Sequence, residues 1–181
     1  ILLAELHHLL KNNLSVIVKF LNLKINSSLN EEARNILMAS RNHVNSIALI
    51  HNRLYKTDNL SEVNFSTYIE DLLSEIQQSY PDLAKTVQVS HTIDEIKLDL
   101  VRAVPCALIL NELLTNCYKH AFRTKNKGSI QINFKVEYDG KMSLSVIDDG
   151  SGLMDDFDKQ NSLGISIIYG LSEQLNGTCR F

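Results

Sequence analysis

Leu3, Leu6, Leu10, Leu14, Ile17, Leu21 and Ile25 follow one another at intervals of three or four residues. That spacing draws one apolar stripe along a helix of about 3.6 residues per turn. Asn26, Ser27 and Ser28 interrupt it, and Asn30 followed by Glu31 and Glu32 has the chemistry of a new helix N-terminus. Ala33, Ile36, Leu37, Ser40, Val44, Ile47, Leu49, Ile50 and Leu54 then carry a second stripe. Two amphipathic helices joined by a short polar turn make an αα-hairpin. Two helices alone have little to pack against, so their stripes predict a second copy and a four-helix bundle.

Thr57, Asp58, Asn59 and Ser61 show no periodicity and place a domain boundary near residue 60. The expected division is a helical hairpin over 1–60 and a mixed domain over 61–181. In the second part Phe65 to Tyr80 reads as a helix that Pro81-Asp82 stops. Val87 and Val89, and later Ile96, Leu98 and Leu100, alternate like strands. Ala103 to Phe122 reads as a long apolar helix with Pro105 in its first turn. Ile130, Ile132 and Phe134 alternate, as do Met142, Leu144 and Val146, with the hairpin signal Asp139-Gly140 between them. Leu163 to Leu175 is the last helix, with Gly177 at its expected stop. The fold class is therefore α+β, with helices laid on antiparallel strands.

Composition narrows the class of partner. Among 181 residues, 18 Lys and Arg face 21 Asp and Glu, a net charge of −3 that leaves no electrostatic footprint for a nucleic acid. Hydrophobic residues at 44% suit a globular chain. Cys106, Cys117 and Cys179 are too few and too scattered for a disulfide framework or a metal knuckle, which points to a reducing compartment. No membrane-spanning run and no signal peptide is expected. Ile1, Leu2 and Leu3 already lie inside the helical pattern, so the chain reads as a piece of a longer protein.

Four constellations carry candidate chemistry. The first is Glu5, His7, His8, Lys11, Asn12 and Asn13 in the first helix, where His8 and Asn12 share a face at i,i+4. Imidazole is a nucleophile near neutral pH, and an amide one turn on can orient a phosphoryl oxygen or a water. Two surface histidines on a solvated face account for the same residues. The second is Asn111, Glu112, Asn116, Lys119 and His120 on an otherwise apolar helix. A carboxylate and an amide oxygen one turn apart suit Mg²⁺, and a lysine one turn further suits a polyphosphate. A solvated polar face is the competing reading. The third is Asp148-Asp149-Gly150-Ser151-Gly152-Leu153 at a strand end, where glycines admit a flat ligand and a carboxylate can accept from an exocyclic amine. An ordinary Asp-Gly turn fits as well. The fourth is Ser162-Leu163-Gly164, either a phosphate-binding helix start or a simple N-cap.

Their order along the chain resembles that of the sensor histidine kinases. Within them the chain is similar to the subgroup with a HisKA_2-type dimerisation and phosphoacceptor hairpin followed by a GHKL (Bergerat) ATP-binding domain. The resemblance rests on Glu5-Leu-His-His…Lys-Asn-Asn-Leu14, Ala48-Leu-Ile-His-Asn-Arg-Leu-Tyr55, Ala103-Val-Pro…Asn-Glu-Leu-Leu-Thr-Asn…Lys-His-Ala-Phe122 and Asp148-Asp-Gly-Ser-Gly-Leu153. It covers essentially the whole chain. It implies an α/β sandwich that binds ATP with Mg²⁺, autophosphorylation on histidine, and transfer to an aspartate of a response regulator. Asn116 then binds the metal, and Glu112 assists through metal-bound water or as a base. Lys119 and His120 lie against the phosphates. Asp148 reads the adenine amino group, Gly150 and Gly152 allow close approach, and Gly164 belongs to the second glycine motif. The family places Asn or Thr one turn after the reactive histidine. Asn12 stands there relative to His8, so His8 is the expected phosphoacceptor and His7 the second choice. Asn12 would position water for the reverse, phosphatase, reaction.

The resemblance further implies a homodimer through the hairpin, a cytoplasmic kinase core and a sensor domain upstream of Ile1. Leu9 stands where the subgroup usually has Arg, Cys117 where it has a small residue expected only to pack, and a final strand pair is expected to be missing after Phe181. A phosphotransfer or scaffold module with a degenerate ATP domain is the alternative. A metal site of His7, His8, His43 and His51 is a third, disfavoured because adjacent helical histidines diverge by about 100°.

Overall fold

The computed structural model describes residues 2–54, 62–122, 127–152 and 163–181. The linker from Thr57 to Ser61, with Leu153 and Ser162, lies outside the described residues, as do the side chains of Leu3, Leu6, His7 and Leu54. Helices α1 (Leu2–Ser27) and α2 (Glu31–Leu54) form the hairpin the stripes predict. Asn30 opens α2 by accepting the Ala33 backbone N–H at 3.0 Å on its side-chain oxygen, which satisfies one of the orphan donors of a helix start.

The second part begins with β1 (Val63–Asn64) and α3 (Phe65–Ser79), then a one-turn α4 (Pro81–Ala84). Asn64 caps α3 by accepting from the Ser66 N–H at 3.1 Å. Strands β2 (Val87–Ile93) and β3 (Lys97–Leu98) follow, then α5 (Leu100–Asn116), which runs into a single π-helical turn over Cys117–Ala121. Strands β4 (Gly128–Val136) and β5 (Met142–Asp148) and helix α6 (Leu163–Gln174) complete the described elements.

Several expectations do not hold. Leu100 is not a strand residue. Asp99 caps α5 by accepting the Arg102 N–H at 2.9 Å, so the helix starts there and Pro105 falls in its second turn. The proline leaves the Val101 carbonyl without an i+4 donor, and Val101 is solvent-exposed, where water can replace it. The sheet is not all antiparallel. Its order is β2-β4-β5, with β2 parallel to β4 and β4 antiparallel to β5. A parallel pair needs a long crossover, and α5 supplies it. Finally Asn176, with φ of 53°, takes the left-handed position after α6, and the Gly177 N–H closes on the Ser172 carbonyl at 2.8 Å.

One face of the sheet presents Ile130, Ile132 and Phe134, all at most 2% exposed, to the helices. The other carries Gln131, Asn133 and Lys135, as expected of a sheet with one face to solvent. Phe65 meets Phe134 edge-on with ring centroids 5.1 Å apart. The stretch Leu100–Ala121 is apolar and long enough to cross a membrane by length and composition, contrary to expectation, and 61% of its 18-residue apolar window is buried within the protein. It is the crossover helix of the sheet, apolar because it lies over that face.

Helix α2 does not stand clear of this core. Ile50 is fully buried in the same cluster as Phe65, Leu72 and Leu110, and Ser46 is buried beside it. A polar cleft of about 390 Å³, walled by Asn22, Arg41, Asn45, Glu75 and Asn111, opens between the hairpin and helices α3 and α5. The docking is therefore apolar at Ile50 and polar along the cleft. Truncating Ile50→Ala removes the apolar anchor. It is expected to cost about 2–5 kcal/mol, read as a lower urea midpoint of the whole chain in equilibrium unfolding.

Candidate functional site

Helix α5 delivers the first cluster. Its apolar body is held by the core, and Glu112 and Asn116 lie one turn apart towards α6. Glu112 is nearly buried, at 8% exposure, and its Oε1 accepts from His43 Nε2 on α2 at 2.5 Å. An ionised carboxylate only accepts, so in that pair the imidazole N–H is the donor. The other oxygen faces α6. A methyl group on Gly164 would stand 2.5 Å from Glu112 Oε2 and 3.8 Å from Asn116 Nδ2. A side chain there would have to displace the Glu112 carboxylate, so glycine lets the first turn of α6 and the carboxylate share this space. Glu112, Asn116 and Gly164 are thus brought together as the sequence suggests.

Beyond Asn116 the π turn alters the geometry. Its wider winding shifts Lys119 from the position that plain α-helical i+3 spacing would give it. Lys119 and His120 both sit exposed on this turn, immediately beyond Asn116. Single π turns recur at functional sites because they re-aim side chains without ending a helix.

The second cluster is built on the end of β5. The β4–β5 register pairs Asp148 with Ile130 and so fixes the Asp148 backbone at the sheet margin. Asp148 Oδ1 accepts the Gly150 N–H at 2.9 Å, and its Oδ2 accepts from the Cys117 thiol at 3.5 Å. Burial, then the Asp148 charge, pushes the Cys117 thiol up to about 12, so it remains a protonated donor. Cys117 is therefore not merely packing: it orients the carboxylate. Nothing in the spacing signals this, since the two residues lie on different elements and meet only after folding.

The two glycines of the turn do different work. A methyl on Gly150 would lie 2.4 Å from both the Cβ and the carbonyl oxygen of Ala121. Gly150 presses the turn onto the π segment, and the Ser151 N–H closes the contact on the Ala121 carbonyl at 2.9 Å. Gly152 has open space around it but a φ of +72°, which glycine adopts without strain. Asp149 is structural: its Oδ1 accepts the Ser129 N–H at 2.7 Å. Tyr80 stacks on Tyr118 at 5.4 Å, and burial together with the Glu112 charge raises its phenol.

His8 and Asn12 lie exposed on α1, on one face at i,i+4, and α1 packs along α2. Of the four histidines of the third alternative, His7 has its side chain outside the described residues and His43 faces Glu112; among the described residues no three His, Cys, Asp or Glu side chains gather as a metal site. Glu112 Oε2 and the Asn116 side chain stand together at the start of α6, where the carboxylate and, with the amide turned, its oxygen would offer two adjacent donors. That set fits a hard cation that draws most of its coordination from water and phosphate, as Mg²⁺ does.

Comparison with known proteins agrees with this geometry. Residues 5–80 match the HisKA_2 histidine kinase family, and residues 102–181 match the histidine kinase-, DNA gyrase B- and HSP90-like ATPase family. The sensor histidine kinase PdtaS of Mycolicibacterium smegmatis is 31% identical over 97% of this chain and 36% of its own length. PdtaS of Mycobacterium tuberculosis is 32% identical over 97% of the chain and 35% of its own length. The chain thus spans about a third of these curated relatives. In fold it is similar to the blue-light-activated histidine kinase of Erythrobacter litoralis, with a TM-score of 0.70 at 24% identity, covering 96% of this chain and 52% of that one. The isolated kinase domain of the Erythrobacter protein aligns with a TM-score of 0.66 at 19% identity, covering 88% of this chain and 84% of that one. A HisKA_2 hairpin joined to a GHKL-type ATPase domain, the chain belongs to the histidine kinase family.

Proposed function

We propose that this chain is the catalytic core of a two-component sensor histidine kinase, with a phosphoacceptor hairpin over 1–60 and an ATP-binding domain over 61–181. The observation that carries the reading is the convergence of Glu112 and Asn116 on the start of α6, with the Asp148 turn packed on the π segment directly after Asn116. Asp148, oriented by Cys117, accepts from the adenine amino group. Gly150 and Gly152 keep the turn close to the base. Lys119 and His120, exposed beyond Asn116, face phosphate charge. Asn116 and Glu112 would hold Mg²⁺, which would supply charge neutralisation for the phosphates.

An imidazole nitrogen of His8 attacks the γ-phosphorus in line, a P–N bond forms as the bond to the bridging oxygen breaks, and ADP leaves. The protein contributes chiefly positioning and charge neutralisation. The phosphoryl group then passes to a carboxylate of a response-regulator receiver domain, and Asn12 positions water for the reverse reaction. Nucleotide chemistry and the match to kinase relatives support a cytoplasmic core, with its sensor in another part of the protein.

The hairpin supports a homodimer. Beyond the stripe that faces α2, helix α1 carries Leu9, Val16, Phe20 and Leu23, between 57% and 69% exposed and spaced by seven, four and three residues. That is a second apolar stripe, and a second copy of α1 would cover it. Leu9, where the subgroup usually has Arg, belongs to this stripe.

Incubation with γ-labelled ATP is expected to give acid-labile, alkali-stable label that is lost in His8→Ala and kept in His7→Ala. Label surviving His8→Ala reassigns the acceptor, and no label in the wild-type chain removes the kinase reading. Asp148→Ala is expected to weaken Mg-ATP binding about 10- to 100-fold in a calorimetric titration, the worth of one hydrogen bond to a charged group. Phe20→Glu places a charge in the exposed stripe and is expected to shift the sedimenting species from twice the chain mass to once.

A further inference from the structure

We propose that His43 is a positioning residue for phosphoryl transfer: from the hairpin it pins one oxygen of Glu112, so that the other faces Asn116 and the start of α6. The inference rests on the proposed role of Glu112 at the metal and adds a residue that the kinase motifs do not contain.

The last torsion of a glutamate is broad, so the side chain alone does not fix the plane of the carboxylate. The Glu112 side chain is only 10% exposed, too little for bulk water to hold it. A buried carboxylate needs a hydrogen-bonding partner, and leaving it without one is costly. The partner is His43, its Nε2 at 2.5 Å from Oε1 and its own side chain 21% exposed. With Oε1 committed, Oε2 lies against the start of α6, 2.5 Å from the point a Gly164 methyl would occupy. Asn116 Nδ2 is 3.8 Å from that same point. The oxygen left for chemistry and the amide therefore face one place.

The pin comes from outside the ATP-binding domain. His43 is 69 residues from Glu112 in the chain and stands on α2, less than one turn from buried Ser46 and two turns from the anchor Ile50. Setting the carboxylate thus depends on how α2 is docked on α5. In a hairpin that turns at residues 28–30, position 8 lies level with about position 50, roughly 10 Å along α2 from His43. The histidine that orients Glu112 and the histidine proposed to accept the phosphoryl group are then two stations on one rigid hairpin. A misplacement of about 1 Å at such a site can cost on the order of 100-fold in rate.

The test uses the full chain with Mg-ATP and compares wild type, His43→Ala and His43→Gln, whose amide N–H can replace the imidazole donor. Autophosphorylation is followed over a range of ATP concentrations, with thermal melting run alongside. His43→Ala is expected to lower kcat about tenfold or more with KM for ATP within about threefold, and His43→Gln to restore at least half the rate. A His43→Ala rate within twofold of wild type overturns the inference and leaves the kinase reading intact. So does a loss that His43→Gln shares in full, or one that tracks a matching drop in melting temperature. No label on the wild-type chain removes the kinase reading itself, and this inference with it.

Discussion

Helix α5 has to meet two opposite demands along one length. It crosses over the sheet between parallel strands β2 and β4, so its body must be apolar enough to be buried against Ile130, Ile132 and Phe134. It also has to carry Glu112 and Asn116, whose polar atoms are useful only if they are satisfied or left facing a ligand. Burying a carboxylate on a core helix is tolerable only with a partner, and that requirement reaches out to His43 on the hairpin. The contact of α2 with α5, the closeness of α6 through Gly164 and the orientation of Glu112 all follow from where α5 lies.

The docking surface between hairpin and ATP-binding domain is consequently part of the site. Ile50 supplies the apolar anchor, and the cleft beside it is lined by amides and charges that need no tight fit. A mixed surface of this kind joins the two lobes through a shared apolar anchor and a polar margin. The exposed stripe Leu9, Val16, Phe20 and Leu23 lies on α1, while the site is reached through α2. One helix of the hairpin is thus open to a second copy, and the other communicates with the proposed nucleotide pocket.

At the far end of α5 the chain re-aims itself twice. The π turn over Cys117–Ala121 shifts Lys119 and His120 from the α-helical register, and Cys117 at its start meets Asp148. The Asp148 turn then presses on Ala121 through Gly150, where even one methyl group does not fit. The proposed adenine-reading carboxylate and the proposed phosphate-facing side chains are therefore fixed relative to one another by one backbone contact.

Much of the fold is legible in the chain alone. The stripes in α1 and α2 and the Asn30 stop-and-start predict the hairpin, because helical periodicity and capping are local properties of a few neighbouring residues. The resemblance carried by Asn111-Glu112…Asn116 and Asp148…Gly152 points to the family, since motif spacing is preserved in the chain itself. Other features are not local. Alternation in Val87–Val89 and Ile130–Phe134 marks strands but is blind to whether they run parallel. The apolar length of Leu100–Ala121 records burial without saying that a sheet, and not a bilayer, provides it. The pairs His43–Glu112 and Cys117–Asp148 join residues 69 and 31 positions apart, and neither partner's neighbours hint at the other. The order of residues along the chain names the side chains that bring chemistry and the elements they ride on. Their orientation comes from the folded arrangement, because a buried polar group is set by the partner that folding brings to it.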